Sequence, residues 1–240
     1  EITTYRLEGE YSDMRHPDKL AFAEKLEDDL KRRDFTINAL ALGINFNVVD
    51  IFNGLEDLKN KIIRTVGNSE DRFKEDALRM MRAIRLAVEL SFEIDEKTFS
   101  TIKKLANLTQ FISRERIKDE LVKILMQKNA MIGIEFLRES GLLIEIMPEL
   151  MQGYKVEQNK HHRYDVYVHS ILSLDYAAKQ NYSLEIRLAA LLHDIAKPLV
   201  KEGEYPDATF YNHEIIGAKL AKNMLMRLKF SNKITRKVVH

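Results

Sequence analysis

The sequence contains no cysteine and no tryptophan, and it has only four prolines and nine glycines in 240 residues. The absence of cysteine excludes disulfide bonds and thiolate zinc sites, and it is compatible with the reducing cytoplasm, where we expect the protein. No apolar run approaches the roughly 20 residues that a membrane-spanning helix needs, so we expect no membrane partner. The scarcity of proline and glycine, with 31% charged residues, favours a mainly helical chain.

The net charge is only +1, but the charge is unevenly distributed. Residues 101–130 contain seven Lys or Arg and three Asp or Glu, and residues 215–240 contain seven Lys or Arg and no acid. Local basic surfaces of this kind can hold an RNA backbone. The same pattern is also typical of solvated helix faces, so charge alone leaves both interpretations open.

The most informative motif is the run from Arg32 to Leu40, which places two guanidinium groups beside the carboxylate of Asp34. We predict a helix over 33–43, on which Asp34 and Asn38 share a face. Two arginine forks suit a triphosphate, and an Asp with an Asn suits ribose hydroxyls. An ordinary helix start with a salt bridge would show the same residues.

A second motif, Glu75–Arg79, places Asp76 and Arg79 three residues apart, which predicts neighbours on a helix. Cytosine and adenine present an amino donor beside a ring-nitrogen acceptor, whereas uracil and guanine present a carbonyl beside an N–H. An Asp–Arg pair therefore fits C and A and mismatches U and G. The alternative is an exposed ion pair between Glu75 and Arg79, worth roughly 0.3–0.5 kcal/mol.

Taken together, these motifs resemble the bacterial (class II) tRNA nucleotidyltransferases, which are the CCA-adding enzymes and relatives of bacterial poly(A) polymerase. The motifs that carry the resemblance occur in the family's order and extend over nearly the whole chain. They are Thr3–Arg6, Tyr11, Arg15, Pro17, Asp29-Leu30, Arg32–Leu40, Asp50–Leu58, Ile63-Arg64, Arg72-Phe73, Glu75–Arg79, Met81–Ala83 and Glu115–Ile117 with Glu120-Leu121.

The resemblance implies a mainly α protein, with part of an α+β nucleotidyltransferase head followed by a helical neck and an all-α HD domain. We predict the C-terminal part of the head over 1–54, the nucleotide- and RNA-binding neck over 55–151, and the HD domain over 152–240. Within these parts we predict strands over Ile2–Leu7 and Phe46–Asp50. We also predict an apolar helix stripe of Leu78, Met81, Ile84 and Val88.

The implied activity is template-independent addition of C and A to the 3′ end of tRNA from CTP and ATP. The implied nucleotide-binding residues are Arg32, Arg33, Asp34, Asn38, Asp76, Arg79 and Arg82. The family's Gly-Gly-x-x-Arg-Asp turn and its magnesium-binding Asp-x-Asp pair do not occur in this sequence. We therefore expect a fragment that does not itself polymerise nucleotides, and Glu1 is a candidate third carboxylate of that magnesium site.

The histidine pattern from residue 152 onwards is typical of a different chemistry. His169, the pair His193-Asp194 and His213 combine imidazole with carboxylate, which suits a divalent metal. The pattern resembles the HD metal-dependent phosphohydrolases, and that resemblance implies that these four residues bind metal and that Lys197 contacts phosphate. We expect His169 on one helix, His193-Asp194 on the next and His213 on or before a third.

Several functions remain open from the sequence. A metal-bound water at the HD site could hydrolyse a phosphate ester, such as a 2′,3′-cyclic phosphodiester or a phosphomonoester. The chain could also come from an enzyme that adds only A, or it could act as a non-catalytic RNA-binding module.

Overall fold

A computed structural model describes residues 6–8, 20–22 and 25–240 of the chain. It contains two compact units, one ending at Ile112 and the other beginning at Ser113. This boundary lies inside the region 55–151 that we predict to be the neck, and the division into three domains stays a prediction. Glu1 and residues 2–5 of the predicted first strand lie outside the described residues.

The first unit combines short strand pairs with helices. Strand β1 (Arg6–Glu8) pairs antiparallel with β2 (Leu20–Phe22), β3 (Leu40–Leu42) pairs antiparallel with β4 (Val48–Asp50), and β5 (Ile62–Ile63) pairs in parallel with β6 (Glu93–Ile94). The helices are α1 (Leu26–Lys31), α2 (Gly54–Asn60), α3 (Ser69–Glu75), α4 (Leu78–Leu90) and α5 (Glu96–Leu105), with 3₁₀ turns at Thr36–Asn38 and Ala106–Phe111.

Helix α4 forms much of the core of the first unit. All four members of the predicted stripe, Leu78, Met81, Ile84 and Val88, are buried. Asp95 caps the following helix α5, because its carboxylate accepts a hydrogen bond from the Thr98 N–H at 3.0 Å. The prediction of an apolar stripe facing the core is confirmed.

The predicted helix over 33–43 is wrong. The chain makes only the 3₁₀ turn Thr36–Asn38 there and then enters β3. Bonds to a distant segment explain the difference, because the Thr36 N–H donates to Arg64 O at 2.9 Å and the Val66 N–H donates to Asp34 O at 3.1 Å. These long-range bonds use backbone groups that a helix would otherwise pair locally.

Helix α2 holds this turn in place through a close backbone approach. Asp50 accepts hydrogen bonds from the N–H groups of Gly54 and Leu55, at 2.8 and 3.0 Å. A Cβ at Gly54 would collide with the carbonyl group of Thr36, so only glycine allows α2 to pack this closely. The turn therefore presents Asp34 and Asn38 in a defined position.

The second unit is helical throughout its described elements. Its helices are α6 (Arg114–Leu125), α7 (Ala130–Glu139), α8 (Leu142–Ile146), α9 (Pro148–Met151), α10 (Val166–Lys179), α11 (Leu184–Leu192), α12 (Lys197–Val200), α13 (His213–Arg227) and α14 (Asn232–Val239). The most extensive contact between helices is that of α10 with α11. Helix α10 also packs against α7, and α11 also packs against α14. None of the helices in residues 25–240 combines the length and apolar character that crossing a membrane requires.

Buried polar groups tie the helices of this unit together. The guanidinium of Arg187 in α11 donates to Leu125 O, Gln127 O and Tyr182 O at 2.7–2.9 Å. These carbonyls lie at or just after the C-terminal ends of α6 and α10, where helices leave acceptors unpaired. Burial lowers the pKa of Arg187 from its ordinary value. One side chain therefore fixes the relative position of three helices.

Candidate functional sites

Asp29 organises both predicted triphosphate-binding arginines of the first unit. It lies buried near the end of α1, and its Oδ1 accepts hydrogen bonds from Arg32 Nε at 3.0 Å and Nη2 at 2.6 Å. Its Oδ2 accepts from Arg33 Nη2 at 3.2 Å. Arg33 also donates to Asn38 O at 3.0 Å, and its side chain is 42% exposed. The two guanidinium groups are therefore held in place while Arg33 stays accessible.

Asp34 lies at the centre of a second group of bonds. Its Oδ2 accepts from Arg82 Nε at 2.8 Å and Nη2 at 2.5 Å. Its Oδ1 accepts from Asn38 Nδ2 at 3.2 Å and from the Phe35 N–H at 2.9 Å. Three residues that the sequence predicts to bind nucleotide, Asp34, Asn38 and Arg82, are thus brought together although 48 residues separate the first from the last.

The segment between α3 and α4 differs from the prediction. Helix α3 ends at Glu75, Asp76 has an extended backbone (φ −145°, ψ 102°), and α4 begins at Leu78. The expectation that Glu75, Asp76 and Arg79 share one helix is therefore wrong. Asp76 still lies next to Arg79, because the Arg79 N–H donates to Asp76 O at 3.0 Å. The carboxylate of Asp76 accepts from the Leu78 N–H at 3.1 Å.

Arg79 is held by several acceptors at once. Its Nη1 lies 2.6 Å from Glu75 Oε2 and 3.3 Å from Arg72 O, and its Nη2 lies 3.2 Å from Arg32 O. Glu75 also forms an ion pair with Arg72. The alternative interpretation, an exposed ion pair between Glu75 and Arg79, is correct about the pair. It is wrong about the exposure, because the side chain of Arg79 is only 11% exposed. Arg79 is therefore a fixed, nearly buried group beside the loop that carries Arg32 and Arg33.

Three histidines of the second unit converge on one carboxylate. His169 lies on α10, as predicted. His193 and Asp194 directly follow the last residue of α11, so the prediction that they lie on a helix is wrong. The Nε2 atoms of His169 and His193 lie 3.0 Å apart. Asp194 Oδ2 lies 3.5 Å from His169 Nε2 and 3.2 Å from His193 Nε2. We call His169, His193 and Asp194 the metal cluster.

This geometry fits a divalent ion. Ligand atoms at about 2.1 Å from an ion lie about 3.0–3.4 Å from one another at angles between octahedral and tetrahedral values. The ligand set of two imidazoles and one carboxylate suits a transition metal. His213 begins α13, and its Nε2 lies 3.5 Å from the other oxygen of Asp194, Oδ1. It therefore stands beside the metal cluster, across the carboxylate from the two other histidines.

The charges around Asp194 keep it ionised. Burial by itself would raise the pKa of Asp194, but hydrogen bonds from His193 and Lys197 outweigh burial and hold that pKa far below the usual carboxylate range. The bond to Asp194 raises the pKa of His193, whereas burial lowers the pKa of His169. An anionic carboxylate at the centre of the cluster is what a cation needs.

Lys197, the predicted phosphate contact, is buried and engaged. Its Nζ donates to Asp194 Oδ2 at 2.8 Å and to Gln158 Oε1 at 2.7 Å. Gln158 in turn donates to Tyr164 O at 3.0 Å. Sequence reasoning missed Gln158, because a single polar residue in an irregular segment carries no periodic or motif signal. It included Asp29 in a motif but missed that this carboxylate holds both arginines.

Three family models match successive parts of the chain. They are the Poly A polymerase head domain over residues 1–64, the probable RNA and SrmB-binding site of polymerase A over 91–153, and the HD domain over 166–240. The CCA-adding enzyme of Ligilactobacillus salivarius is 55% identical over 135 residues, which cover 56% of this chain and 33% of that protein. Along most of its length, the chain is therefore similar to CCA-adding enzymes.

Two further CCA-adding enzymes are similar to the chain. That of Streptococcus sanguinis is 49% identical over 150 residues, which cover 62% of this chain and 37% of that protein. The crystal structure of the Bacillus stearothermophilus CCA-adding enzyme in complex with CTP is similar to this chain, with a TM-score of 0.65 and 30% sequence identity. The match covers 98% of this chain and 48% of that enzyme's chain. The chain thus spans about a third of the length of the curated CCA-adding enzymes it matches.

The site residues predicted for a CCA-adding enzyme fall into two places. Arg32, Arg33, Asp34, Asn38, Asp76, Arg79 and Arg82 lie in the first unit, linked by the bonds described above. His169, His193, Asp194, Lys197 and His213 lie in the HD region of the second unit. The structure brings the residues of each set near one another, and their roles toward nucleotide, metal and phosphate stay predictions.

Proposed function

We propose that this chain is part of an enzyme that adds C and A to the 3′ end of tRNA, using CTP and ATP and no nucleic-acid template. The observation that supports this most is the group of arginines and carboxylates in the first unit, found in a chain whose relatives are CCA-adding enzymes. We place this activity in the cytoplasm, with tRNA, CTP and ATP as partners.

The triphosphate would lie against Arg32 and Arg33. Asp29 holds both guanidinium groups by one edge each, which reduces the conformational entropy lost when they bind phosphate. A groove of about 370 Å³ adjoins them, and residues of both β3 and β4 contribute to its lining. The accessible fork of Arg33 suits bidentate contact with phosphate oxygens.

Asp34 and Asn38 would position the ribose, with Asn38 making the more direct contact. An ionised carboxylate accepts about four hydrogen bonds, and Asp34 already accepts from Arg82, Asn38 and the Phe35 N–H. A ribose hydroxyl at Asp34 would replace one of these bonds. The carboxylate therefore supports the site mainly by orienting Asn38 and Arg82.

Asp76 and Arg79 would read the base. Glu75 and two carbonyl oxygens fix the guanidinium of Arg79, so its remaining hydrogen-bonding edge has a defined direction. A base with the wrong donor and acceptor order would leave buried groups unpaired, at about 1–3 kcal/mol per group. Rigid donors and acceptors are what a protein needs to select C and A without a template.

The chemical step is attack of the tRNA 3′-hydroxyl on the α-phosphate, in line with the departing pyrophosphate. The residues of this chain contribute positioning and positive charge, because Arg32 and Arg33 neutralise the triphosphate while the base and ribose contacts hold it in place. Magnesium supplies further charge stabilisation when bound, and by resemblance its aspartate ligands belong to a motif that this sequence does not contain.

Base selection is tested by Asp76→Ala and Arg79→Ala in an enzyme that includes this chain and the Asp-x-Asp motif. We expect each variant to lose the preference for CTP over UTP and for ATP over GTP in single-nucleotide incorporation on tRNA. Asp71→Ala, which alters an exposed acid on α3, is the control and should keep the wild-type preference. Unchanged selectivity in both variants would rule out the base-reading role.

A second candidate activity is metal-dependent phosphate-ester hydrolysis at the metal cluster. The supporting observation is the convergence of His169, His193 and Asp194, with Lys197 beside them. A divalent metal would supply an activated water, and the chain's own residues would hold the ion and neutralise the phosphate. We expect the 240-residue chain to hydrolyse a 2′,3′-cyclic nucleotide only with added divalent metal, and His193→Ala to abolish that activity.

The basic stretches 101–130 and 215–240 would contact the tRNA backbone. If the chain binds tRNA in a salt-sensitive manner but shows neither activity, it is an RNA-binding module. Addition of A alone by the intact enzyme, with no use of CTP, would identify it instead as an A-adding enzyme.

A further inference from the structure

Two cavities of opposite character flank His169 in the second unit. The first, of about 810 Å³, is lined by Lys155, Lys160, His161, His162 and Arg163, and we call it the basic compartment. The second, of about 460 Å³, is lined by Tyr164, Tyr176 and Tyr182 with apolar neighbours, and we call it the aromatic compartment. Tyr164 lines both compartments, so the two are neighbours.

Both compartments adjoin the metal cluster. His169 itself lines the aromatic compartment. On the other side, Gln158 lines the basic compartment and accepts the hydrogen bond from Lys197, which also bonds Asp194. The ring of His162 packs edge-on against that of His169, with centroids 5.6 Å apart. A ligand at the metal cluster could therefore extend into either compartment.

The basic compartment can accept negative charge. Lys155, Lys160 and Arg163 line it, and so do the acids Glu157 and Asp165. The carboxylate of Asp165 is engaged by backbone groups, because it accepts from the Val168 N–H at 2.7 Å and from the Lys155 N–H at 3.1 Å. Lys160 pairs with Asp207 at 3.4 Å and Lys197 pairs with Asp194 at 2.8 Å, so the positive charge that the lining offers a ligand comes mainly from Lys155 and Arg163.

The aromatic compartment exposes its rings to solvent. Tyr164, Tyr176 and Tyr182 are 43%, 62% and 41% exposed, and Ile186 beside them is 48% exposed. Tyrosine rings with this much accessible surface offer stacking faces for another planar ring. Base stacking on an aromatic side chain is strong enough that removing the side chain weakens binding about tenfold.

We propose that Tyr164, Tyr176 and Tyr182 form a subsite for the planar ring of a phosphate ester whose phosphate lies between the metal cluster and the basic compartment. This assignment rests on the phosphate-binding role proposed above for the metal cluster. The ring subsite would make the site prefer phosphate esters that carry a planar ring over phosphates that lack one. A nucleoside phosphate has both parts, whereas inorganic phosphate has only the anionic one.

The test compares two ligands on the 240-residue chain, both titrated calorimetrically in the presence of Mn²⁺. The double variant Tyr176→Ala/Tyr182→Ala should bind adenosine 3′-monophosphate about tenfold more weakly and inorganic phosphate as tightly as the wild type. The double variant Lys155→Ala/Arg163→Ala should weaken both ligands. Tyr176→Phe/Tyr182→Phe, which keeps the rings, should restore nucleotide binding.

Exposed positions elsewhere in the second unit provide matched controls. Met226→Ala and Lys222→Ala on α13 should leave both affinities unchanged. Equal affinity of the tyrosine-to-alanine variant and the wild type for the nucleotide would overturn the subsite, as would a parallel loss of both ligands. Failure of the wild type to bind the nucleotide more tightly than phosphate would also overturn it.

The outcome is separable from that of the hydrolysis experiment. If the nucleotide binds through the tyrosines but no ester is hydrolysed, the phosphohydrolase proposal fails and the subsite stands. If a cyclic nucleotide is hydrolysed but the tyrosine variants bind nucleotide normally, the subsite fails and the phosphohydrolase proposal stands.

Discussion

At the scale of single residues, Asp194 shows how neighbours determine what a side chain can do. One of its oxygens faces His169, His193 and Lys197, and the other faces His213. The same carboxylate oxygen is therefore available to a divalent ion and to the ammonium of Lys197. These two cations would repel each other, since both would lie within a few ångströms of that oxygen.

This competition leads to a prediction for Lys197→Met. Removing the ammonium takes a positive charge away from the metal cluster, so we expect Mn²⁺ to bind at least about tenfold more tightly. Lys201→Met, on a lysine that pairs with the exposed Glu204, is the control and should change little. Calorimetric titration of Mn²⁺ measures both. Weaker Mn²⁺ binding by Lys197→Met would mean that the lysine supports the cluster instead of opposing it.

Glu135 carries a second prediction at the residue scale. Burial by itself would raise the pKa of Glu135, but hydrogen bonds from Arg138 and Tyr167 outweigh burial and lower it. A lowered pKa in the folded state means that this carboxylate contributes stability above its unfolded pKa of about 4.3, and that the contribution is lost as pH falls through the folded pKa.

Glu135→Gln should therefore reduce the loss of stability in acid. We expect the decrease in the free energy of unfolding between pH 7 and pH 3, measured by urea denaturation, to be smaller in the variant than in the wild type. Glu145→Gln alters an exposed acid of the same unit and should leave the decrease unchanged. An identical pH dependence of Glu135→Gln and wild type would contradict the expectation.

At the scale of elements, Arg187 stands for a type of contact that sequence patterns do not reveal. It joins α11 to the ends of α6 and α10 by donating to their carbonyls. Replacing it with leucine would leave several buried acceptors unpaired. The helices themselves would remain amphipathic and of the right length, so the substitution would destabilise the packing between them.

We expect Arg187→Leu to lower the free energy of unfolding by about 3 kcal/mol, because each buried unpaired acceptor costs about 1–3 kcal/mol. Arg236→Leu alters an exposed arginine on α14 and should change the stability by less than about 0.5 kcal/mol. Urea denaturation of the 240-residue chain measures both changes. A loss below about 1 kcal/mol in Arg187→Leu would show that water or other donors replace the guanidinium.

The element scale also shows why one helix prediction was confirmed and another was wrong. Helix α4 places Leu78, Met81, Ile84 and Val88 on one buried face, and this periodicity is visible in the sequence. Residues 39–42 of the predicted helix are strong helix formers too, but Thr36 and Asp34 pair with the backbone of residues 64–66. Pairing between distant segments overrides local propensity, and no local pattern records it.

At the scale of the whole molecule, the two compact units have separate cores. Residues from Ser113 onwards bury their own apolar groups, among them Ile117, Leu137, Leu174 and Leu191. The metal cluster and both compartments beside it lie entirely within this second unit. Metal binding should therefore need nothing from residues 1–112.

We predict that a protein of residues 113–240 alone unfolds cooperatively and keeps the affinity of the full chain for Mn²⁺. The expected result is a rise in melting temperature on adding Mn²⁺ that is abolished by His193→Ala, because binding to the folded state alone stabilises it. A shortened protein that folds but binds Mn²⁺ much more weakly than the full chain would show that the first unit contributes to the site.

The amino-acid sequence by itself showed the resemblance to CCA-adding enzymes, the mainly helical fold and the buried stripe of α4, because these depend on motifs and on local periodicity. Only the tertiary structure showed that Asp29 holds two arginines, that Asp34 and Arg82 meet across 48 residues, and that Gln158 anchors Lys197. These pairings arise when distant segments are brought together by burial of apolar surface, and their partners follow no fixed spacing along the chain.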